Sequence, residues 1–178
     1  MLELICQQRY RVHGVPVDIS PYANQGTAID APQSTPADPQ HLAIHFPNLD
    51  SRVAVGLGKF GAWNPLQALK IEVVARIDPR AARTLLLVEG DSSFRFDVME
   101  LALEAFVEGP SGAMYVRSDE RFAPDGILHQ VPANRWVTLG MQHDGFAKLQ
   151  LFIDGALVGE RPSSTRGCHQ SSQGRLDR

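Results

Sequence analysis

The chain has 178 residues, 43% of them hydrophobic and 21% charged, with 17 Lys plus Arg against 20 Asp plus Glu and a formal net charge of −3. This composition fits about one globular domain with its own core and excludes collagen-like, coiled-coil and wholly disordered readings. With no Lys/Arg run and no basic stripe, nucleic acid is not an expected partner.

At the start, Met1-Leu-Glu-Leu-Ile-Cys6 puts an acid where a secretory signal carries a base. No signal peptide is expected, and the chain reads as cytoplasmic by default or as a module of a longer exported protein. No apolar stretch approaches the ~20 residues of a membrane helix, so membrane insertion is not expected. Cys6 and Cys168 can form neither a disulfide framework nor a zinc site; whether the two bridge each other stays open, as does the oligomeric state.

Helical spacing is almost absent. Short alternating apolar runs between Gly, Pro and Asp predict an all-β, two-sheet antiparallel sandwich. In chain order the expected strands begin with Leu2 to Val12, His41 to Phe46 and Arg52 to Val55, while the Pro-rich stretch from Ala31 to Pro39 reads as a surface loop. Leu69 to Ile77 puts Leu69, Ile71, Val73, Ala75 and Ile77 on one face and ends at Asp78-Pro79. Thr84 to Glu89 is apolar enough to be buried on both faces, and Ser93 to Asp97 alternates around Phe94 and Phe96. Met99 to Val107 reads as one strand and Ala113 to Arg117 as a weaker one. Arg135 to His143 alternates Val137, Leu139 and Met141 against Trp136, Thr138 and Gln142, with Trp136 read as core, and Asp144-Gly145 offers a turn. Lys148 to Ile153, Asp154-Gly155 and Ala156 to Glu160 spell a hairpin whose two-residue loop needs positive φ twice. Residues 1–160 make a single domain. Residues 161–178, with four Arg against Asp177 alone, read as a disordered tail.

Several patterns resemble chemistry. Gly56-Leu-Gly58-Lys-Phe-Gly61 matches a dinucleotide fingerprint but is followed by Trp63-Asn64-Pro65 rather than a helix, so it reads as a loop. Glu100 and Glu104 fall on one face of the expected strand, about 13 Å apart at ~3.3 Å per residue, too far for paired carboxylate catalysis, with Asp97 on the other face; they read as solvated surface acids. His41 and His45 stand equally far apart and read as edge-strand residues. No nucleophile elbow is present, so no catalytic residue is assigned. The residues suited to recognition are aromatics with polar neighbours in loops: Trp63 with Asn64, Tyr115 with Arg117, and Phe122, whose rings could stack on a sugar while the polar groups set direction. For Trp63, covering an open end of the sandwich is the plainer alternative.

Pro16-Val-Asp18-Ile-Ser20-Pro-Tyr-Ala-Asn24-Gln-Gly26, then Val131-Pro-Ala-Asn134-Arg135-Trp136, His143-Asp144-Gly145 and Leu151-Phe-Ile-Asp154-Gly155, resemble the signature of LamG-like jellyroll domains of the concanavalin A-like lectin/glucanase superfamily, over about residues 12–160. The resemblance implies a lectin-like, non-catalytic module that binds carbohydrate or protein, some members through calcium. On it, Asp18 and Asn24 match a turn near a calcium site in some members; their simpler role is an Asx-type turn, and no cofactor is required. The superfamily's glycosidase motif, Glu-x-Asp-x-Glu, is missing. So is the closing segment after Glu160, which suggests a truncated domain or a shifted frame. Two readings follow: a recognition module binding glycan or protein through loops at the sandwich edge, or a structural domain of a larger assembly with no small-ligand site. A glycosidase has the least support.

Overall fold

The computed structural model describes residues 8–10, 16–20, 24–30, 33–38, 41–47, 51–55, 68–88, 94–109, 112–119, 124–145 and 148–162, and among them every regular element is a β-strand. The chain divides into two compact units, residues 1–65 and 66–178. The first holds three antiparallel pairs: β1 (Gln8–Tyr10) with β2 (Pro16–Asp18), β3 (Gly26–Ile29) with β6 (Arg52–Val55), and β4 (Gln33–Asp38) with β5 (His41–His45). Strand β4 corrects the expected loop over 31–39. Pro36 is tolerated because a two-stranded ribbon leaves one backbone edge unused, and the register slips between Pro36 and Asp38.

The second unit is an antiparallel β-sandwich. Sheet I runs in the order β11 (Gly112–Arg117), β10 (Ala102–Gly109), β9 (Phe94–Met99), β8 (Arg83–Val88). Sheet II runs in the order β14 (Ala156–Pro162), β13 (Lys148–Ile153), β12 (Trp136–His143), β7 (Leu69–Arg76). Strands β10 and β11 face β12, β13 and β14. The core between them is the apolar half of each alternation: Phe94, Phe96, Val98, Leu103, Ala105 and Val116 from sheet I, and Val137, Leu139, Met141, Leu149, Leu151 and Ile153 from sheet II, all buried. A side chain at Gly159 would meet Val116 Cγ2 at 3.2 Å and Leu151 Cδ1 at 3.4 Å, so this glycine lets the two sheets approach. Arg161 Nη1 donates to the Tyr115 carbonyl at 2.9 Å, joining the end of β14 to β11.

Strand β7 alternates along its whole length as its sequence predicts. Asp154 and Gly155 take φ of 48° and 81° between the paired residues Ile153 and Ala156, the hairpin their sequence demands. Two expectations need correction. Met99 to Val107 is not one strand: Met99 pairs with Ala102 across Glu100 (φ 51°) and Leu101 (φ 66°), a two-residue hairpin loop built without glycine or asparagine. Strand β8 is not buried on both faces; it is an edge strand with a register shift between Leu85 and Leu87, which are 54% and 37% exposed. Strand β14 runs through Arg161 and Pro162, while residues 163–178, Cys6, Cys168 and the glycine run 56–61 lie outside the described residues.

His143, at the end of β12, is buried, and its Nδ1 accepts the Gly145 N–H at 3.1 Å, a bond only the neutral ring can make. Burial pushes its pKa below the usual 6.5, with Asp144 opposing. Just below that value the unfolded chain holds more protons than the folded one, so stability rises with pH through the window and is full above it. Chemical denaturation from about pH 8 down to about pH 6 should therefore show falling stability. His143→Asn, which keeps an acceptor in place of Nδ1 and cannot titrate, should flatten that slope; an unchanged slope would assign it to another group.

Candidate functional site

Strand alternation that sends Val137, Leu139 and Met141 into the core sends Trp136, Thr138, Gly140 and Gln142 to the outer face of sheet II. Register then decides their neighbours. Gly140 lies between Glu72 of β7 and Phe152 of β13, Gln142 between Lys70 and Gln150, Thr138 beside Val74, and Trp136 beside Arg76. Because position 140 has no side chain, the face carries a hollow of about 210 Å³ lined by Phe152, Thr138, Gln142, Lys70 and Glu72. Drug-sized ligands need about 300 Å³ or more, so this hollow suits a single small ring. A Cβ at 140 would meet Phe152 Cβ at 3.4 Å and Ile71 O at 3.7 Å, both ordinary contacts. Backbone crowding does not demand the glycine, and its consequence is the open space.

Charges around the hollow are matched. Lys70 Nζ is 3.0 Å from Glu72 Oε1, and Lys148 Nζ is 3.0 Å from Glu160 Oε2, which also accepts from Gln150 Nε2 at 2.6 Å. Lys148 is the main reason the Glu160 carboxyl sits below its usual range. At one end of the face Arg76 stacks 5.9 Å from the Trp136 ring centroid. There Asp154 accepts the Thr138 N–H at 2.9 Å and pairs with Arg135 at 3.0 Å, which fixes the 154–155 turn against β12. Trp136 is thus half-buried on the outer face, not core, because its parity on β12 opposes that of Val137.

The residues singled out from sequence fall elsewhere. Tyr115 and Arg117 are not in a loop; they lie on β11, on the outer face of sheet I. Next to them the hairpin at Glu100-Leu101 folds β10 back on β9, making Asp97 and Glu104 direct cross-strand partners. Both are buried, at 0% and 2% exposure, which overturns the reading of Glu104 as a solvated acid and the placing of Asp97 on the opposite face, while Glu100 stays exposed in the turn as read. Arg83 and Arg95 hold Asp97 through their Nε atoms at 2.5 and 3.4 Å. Arg117 Nη1 stands 2.8 Å from Glu104 Oε1, off the line of a directed hydrogen bond, and the same guanidinium grips Asp119. Burial, then the Glu104 carboxylate, raise the Tyr115 phenol above its usual value. With three guanidiniums closing over two buried carboxylates, this pair offers no substrate an open acid or base, and Arg117 is committed to the fold.

Asp18 organises the turn after β2. Its Oδ1 accepts the Ser20 N–H at 2.9 Å, and its Oδ2 accepts the Asn24 N–H and the Ser20 hydroxyl, each at 2.6 Å. That is the Asx-type arrangement, with Asp18 and Asn24 both buried. No group of three or more His, Cys, Asp or Glu suited to a metal ion occurs among the described residues. Trp63, Asn64 and Phe122 lie outside those residues. Sequence reading missed Phe152, Gln142, Gln150 and Gly140. The available signal was the outward parity of Gly140 in a strand with large residues on both neighbours.

No family model matches the chain, and no curated protein matches it either. Similar solved structures include the binding domain of Paraclostridial Mosquitocidal Protein 1, at TM-score 0.65 and 12% identity over 90% of this chain and 40% of that one. The botulinum neurotoxin serotype G binding domain is similar at TM-score 0.62 and 12% identity, over 89% and 39%. A structure of botulinum neurotoxin type C, whose cell entry depends on interaction with two ganglioside molecules, is similar at 0.62 and 12%, over 88% and 38%. The chain spans about 40% of the length of the first of these and less of the others. At this identity the likeness carries the fold, a β-sandwich shared with binding domains.

Proposed function

We propose that the chain is a non-catalytic carbohydrate-recognition module that takes a sugar on the outer face of sheet II, over Gly140. The observation that carries this reading is the ring-sized hollow with the Phe152 ring on one wall and the Gln142 amide beside it. An aromatic wall supplies buried area, and amide and hydroxyl groups supply direction, the division of labour that sugar recognition needs. The motif resemblance to LamG-like jellyrolls and the likeness to toxin binding domains, one of which interacts with gangliosides, support the same class. Calcium is not part of the proposal, since the Asp18 oxygens already serve the turn.

Titration of the chain with a panel of neutral gluco-, manno- and xylo-oligosaccharides tests it. Phe152→Ala should weaken the best ligand about tenfold or more, which corresponds to ~1.4 kcal/mol. Gly140→Val should abolish binding while leaving stability unchanged or higher, because glycine weakens a strand interior. Retained affinity in both variants would remove the hollow from the function. A second reading, a protein-binding domain without a sugar site, is favoured by the exposed Leu85, Leu87 and Met99 on β8 and β9. It predicts no panel ligand at all.

A further inference from the structure

Resting on the sugar-binding reading, we infer that the ligand is an extended, uncharged oligosaccharide lying along β12, with one ring in the Gly140 hollow against Phe152 and a later ring against Trp136. Residues 136 and 140 share the outer face of one strand and stand about 13 Å apart at ~3.3 Å per residue, beyond the reach of a single sugar ring. Between them Thr138 has Val74, 67% exposed, as its neighbour on β7, and on its other side Asp154, which accepts the Thr138 N–H and is paired with Arg135. The face is therefore a stripe with an aromatic near each end. Arg76 stacked on Trp136 holds that ring in place before a ligand arrives, so little side-chain entropy is lost on binding.

Charge decides the chemical class. Along the stripe Lys70, Lys148 and Arg135 each lie 3.0 Å from a carboxylate, and the Arg76 guanidinium is stacked on Trp136. A uronate or sulfate would have to break one of these pairs and would meet Glu72, Glu160 or Asp154 beside it. A neutral hydroxyl can bond to either member without that cost. The amides of Gln142 and Gln150, neighbours across the β12–β13 pair, offer donors and acceptors of the same uncharged kind.

The test is a chain-length series, one to six units, of the neutral sugar that binds best, with oligogalacturonate as the charged control, read by calorimetry on the full chain. Affinity should climb about tenfold or more from one unit to the length that reaches Trp136 and then level off, and the charged control should bind more weakly. Trp136→Ala should erase the gain with length and leave the single sugar nearly unaffected, while Phe152→Ala should weaken every member. Val74→Glu, on an exposed position where folding is not at risk, should also erase the gain. Affinity independent of length, equal losses across the series in Trp136→Ala and Val74→Glu, or preference for the charged chain would overturn the extended neutral ligand while leaving a sugar site at Gly140 standing. Absence of any binding, or binding that ignores Phe152→Ala, would overturn both.

Discussion

Arg117→Met is expected to lower the unfolding free energy by about 3 kcal/mol, the order seen when one partner of a buried ion pair is removed. Glu104 is 2% exposed and Asp97 is its direct cross-strand neighbour at 0%, so two negative charges meet on one face of sheet I. Like charges facing each other across strands repel, and the low dielectric of a buried site enlarges that repulsion. The arrangement is tenable only because Arg83, Arg95 and Arg117 surround the pair. Of these, Arg117 is the most buried and the closest to Glu104. Methionine keeps the apolar stem and removes the charge, which leaves Glu104 with Arg95 at 3.8 Å. Arg117→Lys should cost less, since charge remains while the fork that spans Glu104 and Asp119 is lost. Glu104→Gln in the Arg117→Met background should recover part of the loss. Urea denaturation of the four proteins decides the matter, and a loss below about 1 kcal/mol with no recovery in the double variant would mean that solvent, not Arg117, carries the acid.

The second large effect belongs to the other unit. Asp18→Ala should cost about 2 to 3 kcal/mol locally, because one side chain accepts two backbone N–H groups and a hydroxyl, and bonds to a charged acceptor are the stronger kind. Removing it leaves the Ser20 and Asn24 amides buried and without that acceptor. Asp18→Asn should recover only part of this, since in either orientation its amide nitrogen faces one of the two N–H groups and its oxygen serves the other. Amide hydrogen exchange gives the specific readout: protection at residues 20 and 24 should fall in Asp18→Ala. Normal protection there would show that the turn holds without the carboxylate. Running the same scan in calcium and in chelator separates the turn from a metal site. A calcium-dependent rise in melting temperature that Asp18→Ala abolishes would make the carboxylate a ligand.

Elements with a local cause were legible in the chain itself. The Asp154-Gly155 hairpin was readable because positive φ at two successive residues restricts which side chains can stand there. Strand β7 was readable because a half-buried strand must alternate. The Glu100-Leu101 turn was not, because neither residue advertises positive φ; sheet pairing on both sides imposes it. Without that turn, strand parity assigns Asp97 and Glu104 to opposite faces, whereas pairing makes them neighbours. Parity likewise places Trp136 and Gly140 outward, but only register brings Phe152, Glu72 and Val74 beside them and makes a hollow out of a missing side chain. The amino-acid sequence by itself determined the all-β architecture and its main hairpin, since alternation and turn chemistry act over a few residues. Tertiary structure alone decided which strands lie side by side, and so placed the buried acids on sheet I and the hollow over Gly140 on sheet II, because cross-strand contacts join residues far apart in the chain.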